Sequence, residues 1–427
     1  MSKTLRLGVA GLGNVGVGLV KLVQGQETLR LTSKLEIVGV SARSRTRDRG
    51  IDISGYRWCD DAMSLALADD VDVYVELIGG SEGLAKQTVE AALEAGKHVV
   101  TANKALIAEH GCELAKIAEK KGVHLLFEAA VAGGVPVVRA VRDSLSGVRI
   151  DRISGILNGT CNYILTEMLD SGSPYEQVVK QAQRLGYAEA DPWLDVSGMD
   201  AAHKIAILAA IAFGAAPDFS KVRVKGINDI TDQDILLSSK LGYRIRLVAE
   251  AVQSGGKVRC FTAPTLFATD HPLALVTGPT NAVLIEGDPV GRLTLTGPGA
   301  GEGPTASAVM GDIARLNQGP ATPPFGVNTS GLDDIFAEPT GEGMVSRWFI
   351  RANLADRSGT LAQLSDALAG ARVSVDKLIQ DSAGETGVAP IAIVTHACSR
   401  NTAESVIEKI ATLPASVDAP QLIRIEA

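Results

Sequence analysis

The chain has 427 residues, enough for two or three domains. Its 46% apolar content, 45 glycines and 4% aromatics are those of an ordinary soluble α/β protein. A net charge of −8 without a long Lys/Arg run argues against a nucleic-acid partner, which requires clustered cations to neutralise phosphate. The five cysteines (Cys59, Cys112, Cys161, Cys260, Cys398) are far apart with no CxxC pair, so neither a zinc site nor a disulfide framework is expected and a reducing compartment fits. The longest strongly apolar run, "IAILAAIAFGAA" from Ile205, falls well short of the roughly 20 residues needed to cross a bilayer. The N-terminal "LRLGVAGLG" turns into a glycine loop instead of an apolar signal segment. A cytoplasmic protein with no membrane partner is expected.

In chain order, the runs "LRLGVA", "LEIVGVS", "VDVYVELI", "KHVVTA" and "VHLLFEA" alternate with segments of helical apolar spacing, which predicts a parallel sheet with right-handed crossovers. Between the first strand and first helix, "GVAGLGNVG" sets out GxGxxG. Gly11 permits the tight turn, Gly13 lets the backbone approach a pyrophosphate, and Gly16 lets helix pack on strand. Asn14 and Val15 open the helix whose N–H groups face the anion. These five residues are the candidate dinucleotide contacts, against the plain alternative of a tight turn.

An Asp or Glu at the end of the second strand would favour NAD through the ribose 2′-hydroxyl. The chain instead reads "GVSARSRTRDRG", with Ser41 there and arginines following. A guanidinium matches a 2′-phosphate, so NADP is favoured over NAD, with Arg43 or Arg45 as the contact. A solvated basic loop is the bland alternative.

After Pro136 the alternation breaks into a helical stretch, the strand-like "VRIDRISGILN", two helical runs and the acidic "LGYAEADPWLDVSGMDAAHK", Leu185 to Lys204. Asp200 and Lys204 are four apart and share a helix face, which by spacing alone fits an exposed ion pair worth about 0.3 to 0.5 kcal/mol. The residues after Lys204 are almost all apolar, however, so the helix is expected to be buried on most faces, where an idle charged pair is costly. His203, rotated away on the same helix, reads as packing or as support for the residues that meet substrate, and Asp191 before Pro192 as a turn cap or a substrate contact.

Long β-rich stretches from "RIRLVAEAV" to "RLTLTGPG" then predict a mixed sheet with helices on one face. The glycine loop "GPGAGEGPTASAVMGDIARL" opens a helix, so Gly301 and Gly303 are candidate cofactor contacts or a connector into the last helix of the nucleotide domain. Residues 318–346 are Pro/Gly-rich and read as a linker. The tail runs strand, helix, strand, strand, helix, strand, a ferredoxin-like order. The expected organisation is a Rossmann-like nucleotide-binding domain over 1–135 plus a return helix at 303–317. An α+β catalytic and dimerisation domain with a mixed sheet follows over 136–302, then the linker and a small domain over 347–427.

The stretches "ELIGG" (Glu76 to Gly80), "HVVTANKALIAEHG" (His98 to Gly111), "GILNGTCNYIL" from Gly155, and the acidic run with its continuation "KIAILA" together resemble the homoserine dehydrogenase family from about residue 5 to 317. The resemblance implies reversible interconversion of L-homoserine and L-aspartate 4-semialdehyde with NAD(P), on the route to threonine, methionine and isoleucine. It implies that Glu189 and Asp195 bind substrate, that Lys204 is the general acid/base and also meets substrate, and that Asp200 supports it. Lys104 of "TANK" ends a strand, on the edge where ligands of open α/β sheets collect, and is a second catalytic and cofactor-side candidate. A lysine serves as acid/base once its pKa falls through burial or a neighbouring cation, and two lysines at one oxygen are expected to lower each other's pKa.

The resemblance further implies a structural monovalent cation such as Na+ in "FEAAVAGGVPVV", held by the Glu128 carboxylate and the carbonyls of Val131, Gly133 and Val135; an ordinary strand-to-helix turn is the alternative. It also implies a homodimer or homotetramer. The tail resembles an ACT domain, whose ligands dock around the turn Asp356 to Gly359, here with threonine as the expected effector. The link into "ARVSV" is shorter than usual in ACT repeats, so a purely oligomerising tail stays open. Two rival functions also stay open: another amino-acid dehydrogenase, such as one acting on aspartate, and an amino-acid sensor on an inactive scaffold.

Overall fold

A computed structural model of the chain describes residues 4–26, 31–340 and 344–426. Its N-terminal sheet contains β1 (Leu5–Ala10), β2 (Leu35–Ser41), β3 (Arg57–Trp58), β4 (Val73–Glu76), β5 (His98–Thr101) and β6 (Leu125–Leu126), all parallel and in the order β3-β2-β1-β4-β5-β6. Central strands of a parallel sheet are covered on both faces, so burial does not alternate along them, as the fully buried "VYVE" of β4 shows. The order reverses between β1 and β4, the switch point where open α/β sheets bind their ligands.

Helix Glu302–Arg315 returns to this half and packs on helix Asn14–Gln24, joining Ala306, Val309 and Ile313 to Leu19, Val20 and Val23 in one core. Gly18 is required there, since a Cβ would lie 2.8 Å from the Glu302 carbonyl oxygen and 2.9 Å from the Ala306 Cβ.

Among the described residues the second sheet has 11 strands. The middle of the chain supplies β7 (Arg149–Ile156), β8 (Val222–Val224), β9 (Tyr243–Ser254), β10 (Lys257–Ala268), β11 (Thr280–Asp288) and β12 (Gly291–Pro298). The tail supplies β13 (Val345–Ala355), β14 (Val375–Gln380), β15 (Val388–Thr395), β16 (Cys398–Ser399) and β17 (Gln421–Ile425). The two sets are fused, because β10 pairs in parallel with β17. One apolar cluster continues across the join, from Ile164 and Leu165 through Leu247 and Leu266 to Phe349 and Ile423. The mixed middle sheet and ferredoxin-like tail are as the sequence indicated, but their merger into one sheet is not legible in it.

The Pro/Gly-rich stretch expected to be a linker is, in its described part up to 340, a packed strap; residues 341–343 lie outside the described residues. Phe325 is buried against Phe127 and over Gly111. Thr329 donates through N and Oγ1 to the Glu119 carboxylate, and Val258 exchanges backbone bonds with Ile335 and Ala337. Composition marked the turns correctly but not the aromatic anchors between them.

The return helix also buries Asp312, whose Oδ2 accepts from the Glu128 backbone N–H at 2.8 Å. Burial, with the Glu128 carboxylate nearby, pushes the Asp312 carboxyl up to about 7. The native state therefore keeps this proton after the unfolded chain has lost its own near pH 4, so the group's stabilising contribution is complete below that pH and lost as pH rises through 7. Asp312→Asn keeps the acceptor oxygen without the charge. It should raise Tm by roughly a few degrees at pH 8 and by much less at pH 4 in a thermal melt, and an equal shift at both pH values would contradict the assignment. No helix among the described residues is long and apolar enough to cross a membrane.

Candidate active site

The loop after β1 is built by steric necessity. Gly11 sits at φ +105°, where a Cβ would lie 2.3 Å from the Leu77 carbonyl oxygen, and a Cβ on Gly16 would lie 2.1 Å from that of Gly11. A Cβ on Gly13 would meet nothing within 4 Å, so the backbone there opens onto free space at the N-terminus of helix Asn14–Gln24. That is the cradle a pyrophosphate requires, with Asn14 and Val15 in the first turn. The adjoining cleft of about 620 Å³ is lined by Gly11, Gly13, Ser41, Arg43, Leu77 and Gly79, among others. Arg45, the alternative to Arg43, is not on its wall, whereas Arg47 and Arg49 are. Arg49 is fixed by donating to the Leu12 carbonyl at 3.2 Å and lies 5.9 Å from the Trp58 ring centroid, which shapes the basic loop into a wall.

Glu76, fully buried at the end of β4, holds the far side of the cleft. Its Oε1 accepts from the backbone N–H groups of Ile78 (2.7 Å) and Gly79 (3.0 Å), and its Oε2 from the Thr101 hydroxyl at 2.5 Å. Asn103 ties the next turn to the same loop, donating to the Gly80 carbonyl at 2.7 Å while its Oδ1 caps the helix that begins at Lys104. In the sequence both residues stand inside motifs without marking themselves as site residues; a carboxylate ending a buried strand is the signal for Glu76.

One residue on from Asn103, the Lys104 ammonium lies 3.0 Å from Asp200 Oδ1. Lys204 Nζ lies 2.7 Å from Asp200 Oδ2 and 2.7 Å from the Leu157 carbonyl oxygen. Asp200 therefore bridges two ammonium groups from two halves of the molecule. It opens helix Met199–Phe213, which is buried on nearly every face, as its apolar sequence predicts. Asn158, absent from the sequence-based candidates, adds a third tie: its Nδ2 donates to Asp195 Oδ1 at 2.8 Å and Asp200 Oδ2 at 2.9 Å, while its Oδ1 caps helix Gly159–Ser171 by accepting from Cys161 N.

The expectation that the two lysines lower each other's pKa is corrected for Lys104. The Asp200 charge outweighs burial and raises it, with Asp195 and Glu189 adding to the effect. Burial alone would push the Asp200 carboxyl up, but Lys204 and Lys104 hold it well below the usual range. Burial and the Asp200 charge push Asp195 up instead. Glu189 is exposed at the rim, and Asp191 caps a turn by accepting from Trp193 N at 3.1 Å. His203 stacks on Phe219 at 4.1 Å, a packing role.

At the turn after β6, Ala132 and Gly133 both have positive φ, and a Cβ on Gly133 would lie 2.4 Å from the Gly299 carbonyl oxygen. The Glu128 carboxylate beside this turn is tied to the segment that follows. Its oxygens accept from Val138 N (3.0 Å), Arg139 N (2.9 Å) and Arg139 Nε (3.0 Å), the first two being N–H groups that the first turn of a helix leaves without backbone partners and the third a guanidinium. Gly301, at φ +120°, precedes the return helix and Gly303 faces open space; neither lies on the wall of the nucleotide cleft.

Moving a hydride requires a dinucleotide held at a fixed edge and a proton donor for the oxygen left behind. The switch-point cleft and the ammonium pair beside it divide that work, which defines a nicotinamide-dependent oxidoreductase. Comparison with known proteins carries this to a family. The homoserine dehydrogenase family model matches residues 136–314, the homoserine dehydrogenase NAD-binding domain 11–128, and the ACT domain 348–415. Homoserine dehydrogenase of Bacillus subtilis (strain 168) is 37% identical over 437 residues, spanning 99% of each chain. The crystal structure of a homoserine dehydrogenase from Thiobacillus denitrificans matches with a TM-score of 0.91 at 36% identity, over 100% of this chain and 99% of that one. A hyperthermophilic archaeal homoserine dehydrogenase in complex with NADPH matches with a TM-score of 0.64 at 26% identity, over 74% of this chain and 98% of its own. The chain belongs to the homoserine dehydrogenase family and carries a C-terminal ACT domain.

Proposed function

We propose that the chain interconverts L-homoserine and L-aspartate 4-semialdehyde, with Lys204 moving the proton at the C4 oxygen. The observation that carries this is Asp200 bridging the Lys104 and Lys204 ammonium groups beside Asp195. In the reducing direction the Lys204 ammonium gives its proton to the developing alkoxide and Lys104 adds positive charge beside it. In the oxidising direction the Lys204 amine takes the alcohol proton. Asp195 and the rim carboxylate Glu189 receive the substrate ammonium. When bound, the dinucleotide supplies or accepts the hydride. The fit of Gly11, Gly13 and Gly16 to a pyrophosphate supports its place.

NADP is the preferred dinucleotide, supported by Arg43 on the cleft wall, by Ser41 in place of an acidic residue, and by the NADPH complex of the archaeal relative. Steady-state oxidation of homoserine with each cofactor tests both parts. Arg43→Ala should lower the NADP-to-NAD ratio of kcat/KM roughly tenfold or more, as expected for a lost charge-assisted bond to phosphate. An unchanged ratio would remove Arg43 from that role, and no turnover of homoserine with either cofactor would remove the reaction.

Further parts of the reading rest on particular features. A monovalent cation at the turn after β6 would be held by the Glu128 carboxylate and the carbonyls of Val131, Gly133 and Val135, supported by the positive φ at Ala132 and Gly133. Residues 1–135 with 303–317 form the nucleotide domain, 136–302 the substrate domain and 347–427 the ACT domain. A homodimer or homotetramer is supported by the sheet edges at β12 and β14, and response to an amino acid such as threonine by the ACT match.

A further inference from the structure

The Leu157 carbonyl that holds Lys204 is itself held. Leu157 directly follows β7, and the next residue, Asn158, caps helix Gly159–Ser171. β7 runs antiparallel to β11 and its last matched pair is Ile156 with Ala282, so Leu157 comes opposite Asn281. The Asn281 side chain makes that rung: its Nδ2 donates to the Leu157 oxygen at 3.1 Å, the same oxygen that accepts from Lys204 Nζ at 2.7 Å. A carbonyl oxygen has two lone pairs, and each is taken by one of these donors. The reverse orientation of the amide would set oxygen against oxygen, so the donor end must face Leu157.

Asn281 is 1% exposed and has no room to turn. Gly299, in the loop before helix Glu302–Arg315, lies so close to its amide that a Cβ there would fall 2.0 Å from Asn281 Cγ and 2.2 Å from Nδ2. A Cβ on Gly159 would lie 3.4 Å from Asn281 Oδ1, which is buried and has no hydrogen-bond partner among the described residues. An amide with its oxygen unpaired is a poor way to stabilise a core, where an apolar side chain would avoid the desolvation loss. What it supplies is one aimed donor.

That donor bears on the path of the proton. Lys204 Nζ makes two bonds, to the Leu157 oxygen and to Asp200 Oδ2, and these fix its third tetrahedral direction, which carries an N–H in the ammonium and the lone pair in the amine. Asp200 is anchored by Lys104 and Asn158, and the Leu157 carbonyl by Asn281. Without Asn281, one of the two acceptors that aim Lys204 is free to tilt.

We propose that Asn281 is a positioning residue for proton transfer, holding the Leu157 carbonyl so that the third direction at Lys204 Nζ meets the substrate oxygen. The inference rests on the role of Lys204 given above. The test is steady-state oxidation of homoserine by Asn281→Ala and Asn281→Thr, each alone and combined with Lys204→Ala, with thermal melts to establish folding. Threonine suits a strand and fills a similar volume, but its hydroxyl lies a bond too near the backbone to reach Leu157, so it keeps the test decisive if the alanine variant fails to fold. Each single variant should lower kcat roughly tenfold or more, as a misaimed acid/base does, and change the KM for homoserine by less than about twofold, because Asp195 and Glu189 are untouched. On the Lys204→Ala background, where no amine remains to be aimed, either substitution should change the residual rate by less than about twofold. A kcat that stays at the wild-type value in the folded variants, a rise in KM in place of the fall in kcat, or an equal loss with and without Lys204 would each overturn the inference and leave the reaction standing. Absence of homoserine turnover in the wild type would remove the reaction, and this role with it.

Discussion

Replacing Lys204 with alanine should lower kcat for homoserine oxidation by roughly 10²- to 10⁴-fold and leave dinucleotide affinity unchanged. An ammonium has three donors, and two of those on Lys204 are held, by Asp200 Oδ2 and by the Leu157 carbonyl oxygen, both at 2.7 Å. One remains for substrate, in a direction the buried helix does not allow to wander. The variant is expected to fold: alanine suits a helix, and Asp200 keeps Lys104 and Asn158 as partners, so no buried carboxylate is stranded. Lys204→Arg should not restore the rate, because a guanidinium keeps its proton at any working pH. Steady-state rates together with a fluorescence titration of the dinucleotide separate the two effects. Undiminished turnover in the alanine variant would take the proton transfer away from Lys204.

Which parts of this arrangement were legible in the sequence follows from the range of the interactions. Buried parallel strands and the spacing of Gly11, Gly13 and Gly16 are local consequences of sheet burial and backbone sterics, so the nucleotide half could be read directly. The Asp200 and Lys204 pair was visible as i,i+4 spacing. That Lys104, from a different domain, completes the same cluster was accessible only through family resemblance, because nothing in either segment specifies the approach. Asn158 shows another limit. An Asn between a strand and a helix reads as an N-cap, which it is, and its Oδ1 fulfils that role. Its Nδ2, which ties Asp195 to Asp200, depends on a short helical turn 37 residues away and left no local signal. The strap around Phe325 and the fusion of β10 with β17 escaped for the same reason: the partners are distant and the intervening composition looks like ordinary turns.

Asp200→Asn tests whether the shared carboxylate sets the charge state of the whole cluster. In the native chain the cost of burying this carboxyl is outweighed by Lys204 and Lys104, which keep it ionised far below its ordinary range. A carboxyl with a lowered folded pKa adds stability above its unfolded value near 4 and loses it as pH falls toward the folded value. The variant lacks that titration, so its stability should decline less steeply than wild type below about pH 4. At neutral pH it should be less stable by about 3 kcal/mol, because two ammonium groups lose their common counter-ion; Lys104 is 40% exposed and can turn to water, whereas Lys204, at 12%, cannot. With Asp200 neutral, the largest influence raising Lys104 disappears and mutual repulsion takes over, so the alkaline limb of the kcat/KM profile should move to lower pH. Urea denaturation at about pH 7, pH 4 and pH 2, the last inside the window where the wild-type carboxyl takes up its proton, and a pH–rate profile measure these shifts separately. A profile that kept its alkaline limb in place would mean that the carboxylate positions the lysines without governing their protons, and catalysis would then depend on geometry more than on the charge held at the centre of the cluster.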